Sequence, residues 1–157
     1  MSSFWRELFL DLNDATLLAR AALRLVIATL LGGLLGYERL RDRKPAGLRT
    51  HMLVALGAAL FTVVPAVAGM SQTDFSRIIQ GVATGIGFLG AGTILKLGED
   101  HKVEGLTSAA SIWLTAGVGM AVGAGWLWPA VAGVVLGWTV LFSLHHLEQK
   151  LRQNGQP

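Results

Sequence analysis

Long apolar runs separated by short polar segments dominate this chain. From residue 105 to residue 144 there are 40 consecutive positions without aspartate, glutamate, lysine or arginine. A membrane crossing needs about 20 residues at a rise of about 1.5 Å per residue, so this run predicts two crossings. The segment GAGWLWP (residues 123–129) divides them, because it combines helix-breaking glycine and proline with the tryptophans typical of a membrane surface.

Three further apolar runs, at residues 17–37, 52–73 and 78–95, predict three more crossings. Lipid offers no water to bond backbone polar groups, so these segments are expected to be helices. The sequence therefore predicts an all-α integral membrane protein, a compact, glycine-rich bundle of five transmembrane helices forming a single domain over residues 1–157. The expected helix bounds are 15–40, 50–70, 75–97, 106–123 and 128–149, with residues 1–13 as a short helix in the membrane interface.

Composition agrees with a membrane protein and adds an orientation. Apolar residues make up 52% of the chain and charged residues 15%, against about 25% charged residues in soluble domains. With no cysteine, disulfides and thiolate metal sites are excluded. Alternating crossings place nine basic residues on one side and four on the other, and the positive-inside rule assigns the nine to the cytoplasm. The N-terminus is then outside and the C-terminus cytoplasmic. The nine are Arg39, Arg41, Arg43, Lys44, Arg49, Lys96, Lys102, Lys150 and Arg152, and the four are Arg6, Arg20, Arg24 and Arg77.

Four of the predicted helices carry two glycines four positions apart. This spacing puts two bare patches on one helix face and lets another helix approach closely. Such faces favour a compact bundle with a surface for a partner or a second copy, and packing within one chain is the simpler alternative. The pairs are Gly32 and Gly36, Gly81 and Gly85, Gly119 and Gly123, and Gly133 and Gly137.

The third predicted helix also contains GIGFLG (residues 85–90), which matches the glycine pattern of dinucleotide-binding loops. That pattern requires a preceding strand in a βαβ unit, whereas here it lies within a membrane segment, so we reject the nucleotide interpretation. Gly85, Gly87, Gly90 and Gly92 instead indicate close helix contact or unwound backbone at a cavity wall. Leucine at Gly85 or Gly90 is accordingly expected to disrupt packing.

Few charged residues enter the predicted membrane region. Arg24 is expected either to extend to the outer surface or to pair with an acceptor on another helix, the nearest acid by topology being Asp74. No acid lies deep in a span, so the carboxylates that hold Mg²⁺ or relay protons have no obvious source. We expect no catalytic residues, no cofactor and no metal site, and the chain is not expected to be an enzyme.

Residues 38–51 form the densest polar segment. Its basic residues are suited to anionic lipid headgroups. Thr50 is expected to cap the second helix, which would place Arg49, Thr50 and His51 at a helix end suited to an anion. The alternative is that the segment only sets the topology. If the helix end is a site, alanine at Arg49 is expected to impair function without loss of insertion.

Four segments resemble the MgtC/SapB (YhiD-like) family of membrane proteins. They are ER (residues 38–39) with KPAGLRTHMLV (44–54), GAALF (57–61), GIGFLGAGTI (85–94) and VEGLTSAASIW (103–113). They occur in family order between about residue 20 and residue 125 and are specific in combination. One departure is Ser108, where the family typically has threonine. Longer members continue into a soluble ACT-like domain, so this chain is expected to be a short form that contains the membrane domain alone.

The resemblance implies a bacterial inner-membrane protein linked to magnesium limitation, acid stress or virulence. It also implies a non-enzymatic modulator of other membrane proteins, such as a subunit of an ATP synthase or a transport ATPase. The alternative is a transporter or channel for Mg²⁺, H⁺ or a small solute. Expected partners are the lipid bilayer and, through the small-residue faces, a second copy, but not nucleic acid. The candidate functional residues are Arg24, Glu38, Arg39, Gly47, Arg49, Thr50, His51, Asp74, Arg77, Gly85, Gly87, Gly90, Gly92, Glu104, Gly105, Thr107, Ser108 and Trp113.

Overall fold

The computed structural model describes residues 15–42, 44–97 and 102–154. They form five helices and one short antiparallel hairpin, which confirms the prediction of a helical bundle. The expected interfacial helix at residues 1–13 lies outside the described residues. The elements are α1 (Ala15–Arg41), α2 (Leu48–Val67), α3 (Gln72–Ala91), β1 (Leu95–Leu97), β2 (Lys102–Glu104), α4 (Leu106–Ala124) and α5 (Leu127–Asn154).

Helices α1, α2 and α4 form the centre of the bundle. Gly36 of α1 lies against the start of α2 and Gly32 against the next turn, so these two helices are antiparallel. Gly119 and Gly123 of α4 lie against Ala55 and Ala59 of α2 in the same order, so these two are parallel. Helix α5 packs antiparallel against α4. The α1–α2 loop and the hairpin therefore lie at one end of the bundle.

Small residues make the central contacts. A Cβ at Gly32 would lie 2.6 Å from the Cβ of Ala55, and one at Gly36 would lie 2.8 Å from the Cβ of His51. A Cβ at Gly119 or Gly123 would collide with backbone carbonyls of α2. Helices in lipid associate through this kind of close van der Waals packing, because lipid supplies no hydrophobic force between them. The small residues on these helices are therefore what allows three backbones to meet.

Larger apolar side chains, in contrast, lie mostly on the outer surface of the bundle. The buried cluster is built largely from alanine and valine, with Leu35 as its largest member. Leu53, Phe61 and Trp128 are at least 64% exposed. In water such exposure would mark an interaction surface, whereas in a bilayer it is the expected lipid-facing surface.

Within the described residues, three helices are long and apolar enough to cross a membrane: α1, α2 and α4. Helix α5 has a shorter apolar stretch at Leu127–Phe142. Helix α3 does not meet the same criterion and carries Asp74 and Arg77 in its first turns. The described residues thus form five helices, while the crossing of all five stays a prediction.

The third helix ends earlier than the sequence indicated. It was expected to reach residue 97, but it stops at Ala91, and a turn leads into the hairpin β1–β2. Gly105, at φ 95°, follows β2 and presses against the carbonyl of Thr93. A side chain there would be strained by the backbone angle and blocked by that contact, so this glycine joins the hairpin to α4.

The opposite end of the bundle is closed by Arg24. Its Nη1 donates to the carbonyl oxygen of Gly123 at 3.0 Å, at the C-terminus of α4. The sequence left open whether Arg24 reaches the surface or pairs with another helix, and the structure shows the second. The nearest acid, Asp74, instead accepts from Ser71 at the start of α3. A guanidinium at a helix C-terminus complements the helix dipole and bonds an unpaired carbonyl.

Methionine at Arg24 is therefore expected to destabilise the bundle by about 1–2 kcal/mol, since a charged hydrogen bond and a favourable dipole contact are lost. Unfolding by SDS titration measures the difference. Arg20→Met, one turn earlier at an exposed position, is the matched control. Equal stability of the two variants would contradict the role of Arg24.

Candidate functional site

A group of polar side chains is buried where the end of α1 meets the starts of α2 and α4. Glu38, Arg39, His51, Ser108 and Ser111 are each at most 6% exposed. We call these five residues the buried polar cluster. Four of them were among the residues that the sequence singled out, and the fold brings them together from three helices. Polar groups buried in a membrane bundle require partners inside the protein, so their arrangement carries information.

Glu38 and Arg39 form a two-pronged ion pair. Arg39 Nε and Nη2 donate to the two carboxylate oxygens of Glu38, the second at 2.8 Å. The remaining nitrogen, Arg39 Nη1, is buried and has no hydrogen-bond partner among the described residues. A buried guanidinium normally uses all its donors, so this nitrogen is an exception among the buried polar groups of the described residues.

His51 links α2 to α4. Its Nδ1 lies 2.9 Å from the carbonyl oxygen of Gly47, and its Nε2 lies 3.1 Å from Ser111 Oγ. A carbonyl only accepts, so Nδ1 carries a proton. Ser111 Oγ also lies 2.9 Å from the carbonyl oxygen of Ser108. In neutral His51 the single Ser111 hydroxyl proton is shared between Nε2 and that carbonyl, which couples the two helices.

The start of α2 differs from the prediction. The helix begins at Leu48 after Gly47, so Thr50 lies inside its first turn and is not the cap. Gly47 has no side chain, and its carbonyl serves the backbone and the ring of His51 instead. Arg49 and Thr50 line a separate cavity with Leu48. His51 therefore belongs to the bundle interior and does not form an exposed anion site with Arg49.

A polar cavity of about 390 Å³ lies beside the cluster, at the N-terminus of α4. Lys44 and Pro45 from the α1–α2 loop line one wall, while Glu104, Thr107 and Ser108 line the other. The sequence predicted the last three as candidates but not Lys44 as their neighbour. Lys44 comes close to these residues because the α1–α2 loop turns back. In that turn the Lys44 amide donates to the Arg39 carbonyl at 3.0 Å.

An apolar groove of about 660 Å³ lies between α2 and α3. Gly57 of α2 and Gly81 and Gly85 of α3 line it, and a Cβ at any of the three would meet nothing within 4 Å. The interpretation of the third helix as a cavity wall is thus supported, but its backbone is helical through Gly90. The expectation that leucine at Gly85 disrupts packing is wrong for this chain alone, because the glycine faces open space.

The other predicted residues lie apart from the cluster. Gly90 packs at ordinary distance against Ala109, Gly92 ends α3 and Gly87 faces open space. Asp74 and Arg77 are exposed at the far end of the bundle. Trp113 is 59% exposed on the outer face of α4 and does not contribute to the cluster. Among the described residues, no three histidines or acidic residues lie together in an arrangement that could hold a metal ion.

Ser111 and Thr115 were not among the candidate residues that the sequence analysis selected. Both are buried, and Thr115 donates to the Ser111 carbonyl at 2.8 Å. The signal was their spacing, since Ser108, Ser111, Thr115, Gly119 and Gly123 fall on one face of α4. That face consists of small residues throughout, with hydroxyls at one end and glycines at the other.

Comparison with known proteins finds relatives across most of the chain. Residues 25–150 match the model of the MgtC family. Protein SrpB of Synechococcus elongatus is 46% identical over 67% of this chain and 63% of its own length. The putative magnesium transporter YhiD of Escherichia coli K12 is 40% identical over 85% of this chain and 64% of its own length. Protein MgtC of Brucella abortus is 44% identical over 75% of this chain and 48% of its own length. The alignments thus span between 48% and 64% of these relatives. No solved structure matches the chain.

Proposed function

Because this chain belongs to the MgtC family, we propose that it is a non-enzymatic modulator that binds other proteins within the bacterial inner membrane. The observation that carries this proposal is the apolar groove between α2 and α3. The proposed topology has five crossings, with the N-terminus outside and the C-terminus in the cytoplasm. The buried polar cluster then lies at the cytoplasmic end and Arg24 at the outer end.

The groove has the properties of a docking site for a transmembrane helix. Its walls carry apolar side chains and bare glycine faces, so a partner backbone can approach closely. Within fully described α3, Gly90 is the one buried residue, so the rest of this helix is at least partly exposed. A helix from an ATP synthase or transport ATPase subunit is the proposed occupant, following the family resemblance. A second copy of this chain is the alternative occupant.

Leucine at Gly85 is the direct test. The side chain fits the empty groove, so the variant is expected to insert and melt like the parent while losing its partner. Photo-crosslinking in native membranes, with the reactive group placed at Phe61, a large exposed side chain on the groove wall, measures the loss. We expect crosslinking to the partner to fall by about tenfold, since a blocked close contact between helices removes the main packing surface.

Gly117→Leu is the matched control, because Gly117 also faces open space but lies on α4, away from the groove. It is expected to leave crosslinking unchanged. Unaltered crosslinking in Gly85→Leu would remove the groove as the docking site. A crosslinked product containing only this chain would identify a homo-oligomer.

Transport of Mg²⁺ or H⁺ is the second candidate, favoured by the name of the Escherichia coli relative. The buried hydroxyls and His51 between α2 and α4 are the groups that such a path would use. Flux assays in proteoliposomes with dyes for both ions decide between the candidates. Flux that is abolished in Ser111→Val would support transport, and folded protein without flux would leave the modulator.

A further inference from the structure

We propose that the outward face of α3 binds a second copy of this chain, and that Gln80 of each copy pairs with Gln80 of the other. This contact requires the five-crossing topology proposed above, in which α3 spans the membrane, so it rests on that part of the proposed function. The outward face lies opposite the apolar groove. A second copy bound there leaves the groove free for a partner helix.

Helix α3 has two different faces. Ile78, Val82 and Leu89 are among the apolar residues that line the groove. Gln80 lies two positions from Ile78 and from Val82, and Gly87 lies two positions from Leu89. At about 100° per residue, two positions lead to the opposite side of a helix. Gln80 and Gly87 therefore lie on the outward face, and both are exposed.

The outward face carries polar residues at the depth of the hydrocarbon core. Gln80 comes eight positions after Gln72, the first residue of α3, which corresponds to about 12 Å along the helix axis. The whole helix has 20 residues and a length of about 30 Å, so Gln80 lies in its middle third. Ser76 and Thr84, one turn to either side, are exposed as well. Arg77 is closer to the outer end, from which a long basic side chain can reach water.

Gln80 is the group on this face that requires a partner. The Ser76 hydroxyl donates to the Thr73 carbonyl at 2.8 Å and is satisfied within its own helix. The side-chain amide of Gln80 makes no hydrogen bond with the described residues. An amide that has neither water nor a protein partner is costly in hydrocarbon, and glutamine side chains in membrane bundles bond to a neighbouring helix. Acyl chains alone therefore do not suit this face.

A second copy fits because the glutamine amide is complementary to itself. It offers an N–H donor and a carbonyl acceptor, so two Gln80 side chains related by a twofold axis satisfy each other. Ala83 and Gly87 keep the surroundings of the amide small, and a Cβ at Gly87 would meet nothing within 4 Å. Two α3 helices can therefore approach closely enough for the amides to meet.

The chain contains no cysteine, which allows a direct test of this contact. With one cysteine introduced per full-length chain, a disulfide can form only between two copies. Thr84→Cys and Gly87→Cys are expected to give a crosslinked dimer on oxidation in proteoliposomes. Val82→Cys and Ile86→Cys, on the groove side, are expected to stay monomeric.

Gln80→Leu is expected to raise the dissociation constant of the dimer by about tenfold, since two hydrogen bonds between helices are lost. Energy transfer between two differently labelled populations in liposomes measures this constant. Gln80→Asn keeps an amide and is expected to retain most of the affinity. Gln72→Leu makes the same change at the exposed start of α3 and is expected to leave the constant unchanged.

The dimer contact is overturned if Thr84→Cys and Gly87→Cys stay monomeric, or if Gln80→Leu associates as tightly as the parent. A dimer captured only through Val82→Cys or Ile86→Cys would place the second copy in the groove and would also overturn it. Gly85→Leu is expected to remove the partner helix and to leave this dimer intact, so the two contacts fail separately. Labelling of both ends of α3 from the same side of the membrane would overturn the five-crossing topology and this dimer together.

Discussion

Leucine at Gly123 is expected to abolish the folded bundle. A Cβ at this position would collide with the Ala59 carbonyl and the Thr62 hydroxyl, and the next atoms of leucine have no space between α2 and α4. Thr62 Oγ1 also lies 3.2 Å from the Met120 carbonyl, so the same contact carries a hydrogen bond between the helices. Overpacking typically costs about 1–3 kcal/mol, and we expect the upper end of this range or more here, because the backbones of α2 and α4 must separate. SDS titration and size-exclusion chromatography in detergent measure the loss.

Gly117→Leu provides the matched comparison on the same helix. Gly117 has nothing within 4 Å of its Cβ position, so the change adds the same volume without a collision. We expect its unfolding midpoint to match that of the parent. If Gly123→Leu melts like Gly117→Leu, the close contact of α2 with α4 does not exist in the membrane.

Alanine at Glu38 is expected to destabilise the protein by about 3–5 kcal/mol. The carboxylate bonds two nitrogens of Arg39, whose side chain is only 3% exposed. Removing it leaves a buried guanidinium without a counter-charge, and that desolvated charge is the main source of the loss. Reduced yield in the membrane and a lowered unfolding midpoint in SDS are the expected observations.

The double change Glu38→Leu with Arg39→Leu separates the pair from the buried charge. Both charges are then absent, so most of the lost stability is expected to return. Recovery of folding together with loss of function would mean that the pair is retained for activity. If the double variant is no more stable than Glu38→Ala, uncompensated charge is not the cause of the loss.

The helices were largely predictable, because charge-free runs in a membrane protein have few alternatives. Charge runs and turn residues marked most ends to within a few residues. The hairpin at residues 95–104 was not predictable in the same way. Its first strand continues the apolar run of α3, and three residues are too few to show an alternating pattern. The break at Ala91 depends on Gly105 meeting Thr93, which is a contact in space and not in sequence.

The glycine pairs show what a sequence pattern leaves open. Gly119 and Gly123 allow intimate contact, whereas Gly81 and Gly85 have the same spacing and face a groove. The glycine spacing indicates that another helix can pack closely against this face. Whether one does so depends on where the neighbouring helices lie. Arg24 shows the same limit for charge. A search for an acidic partner fails, since the acceptor is a backbone carbonyl that any residue could supply.

Four of the five residues of the buried polar cluster were predictable from the sequence, but their arrangement was not. The residue types and the family resemblance selected Glu38, Arg39, His51 and Ser108. These residues come together only if the end of α1 lies beside the starts of α2 and α4, and this arrangement is set by tertiary packing. The role assigned to Thr50 was wrong by three residues because Gly47, with no capping side chain, precedes the helix. Lys44 lines the same cavity as Thr107 and Ser108 because the α1–α2 loop turns back, and the sequence alone does not show that turn.

The glycine and alanine contacts at the centre of the bundle also have an entropic consequence. These residues have no side-chain rotamers to lose, so the contacts that they make between the three helices cost little side-chain entropy. The larger side chains stay on the outside, where lipid lets them keep their rotational freedom. Contacts that are individually weak can therefore hold the helices together, because forming them costs little conformational entropy. Over evolutionary time, the outer face can accept many apolar exchanges, whereas the centre can accept few.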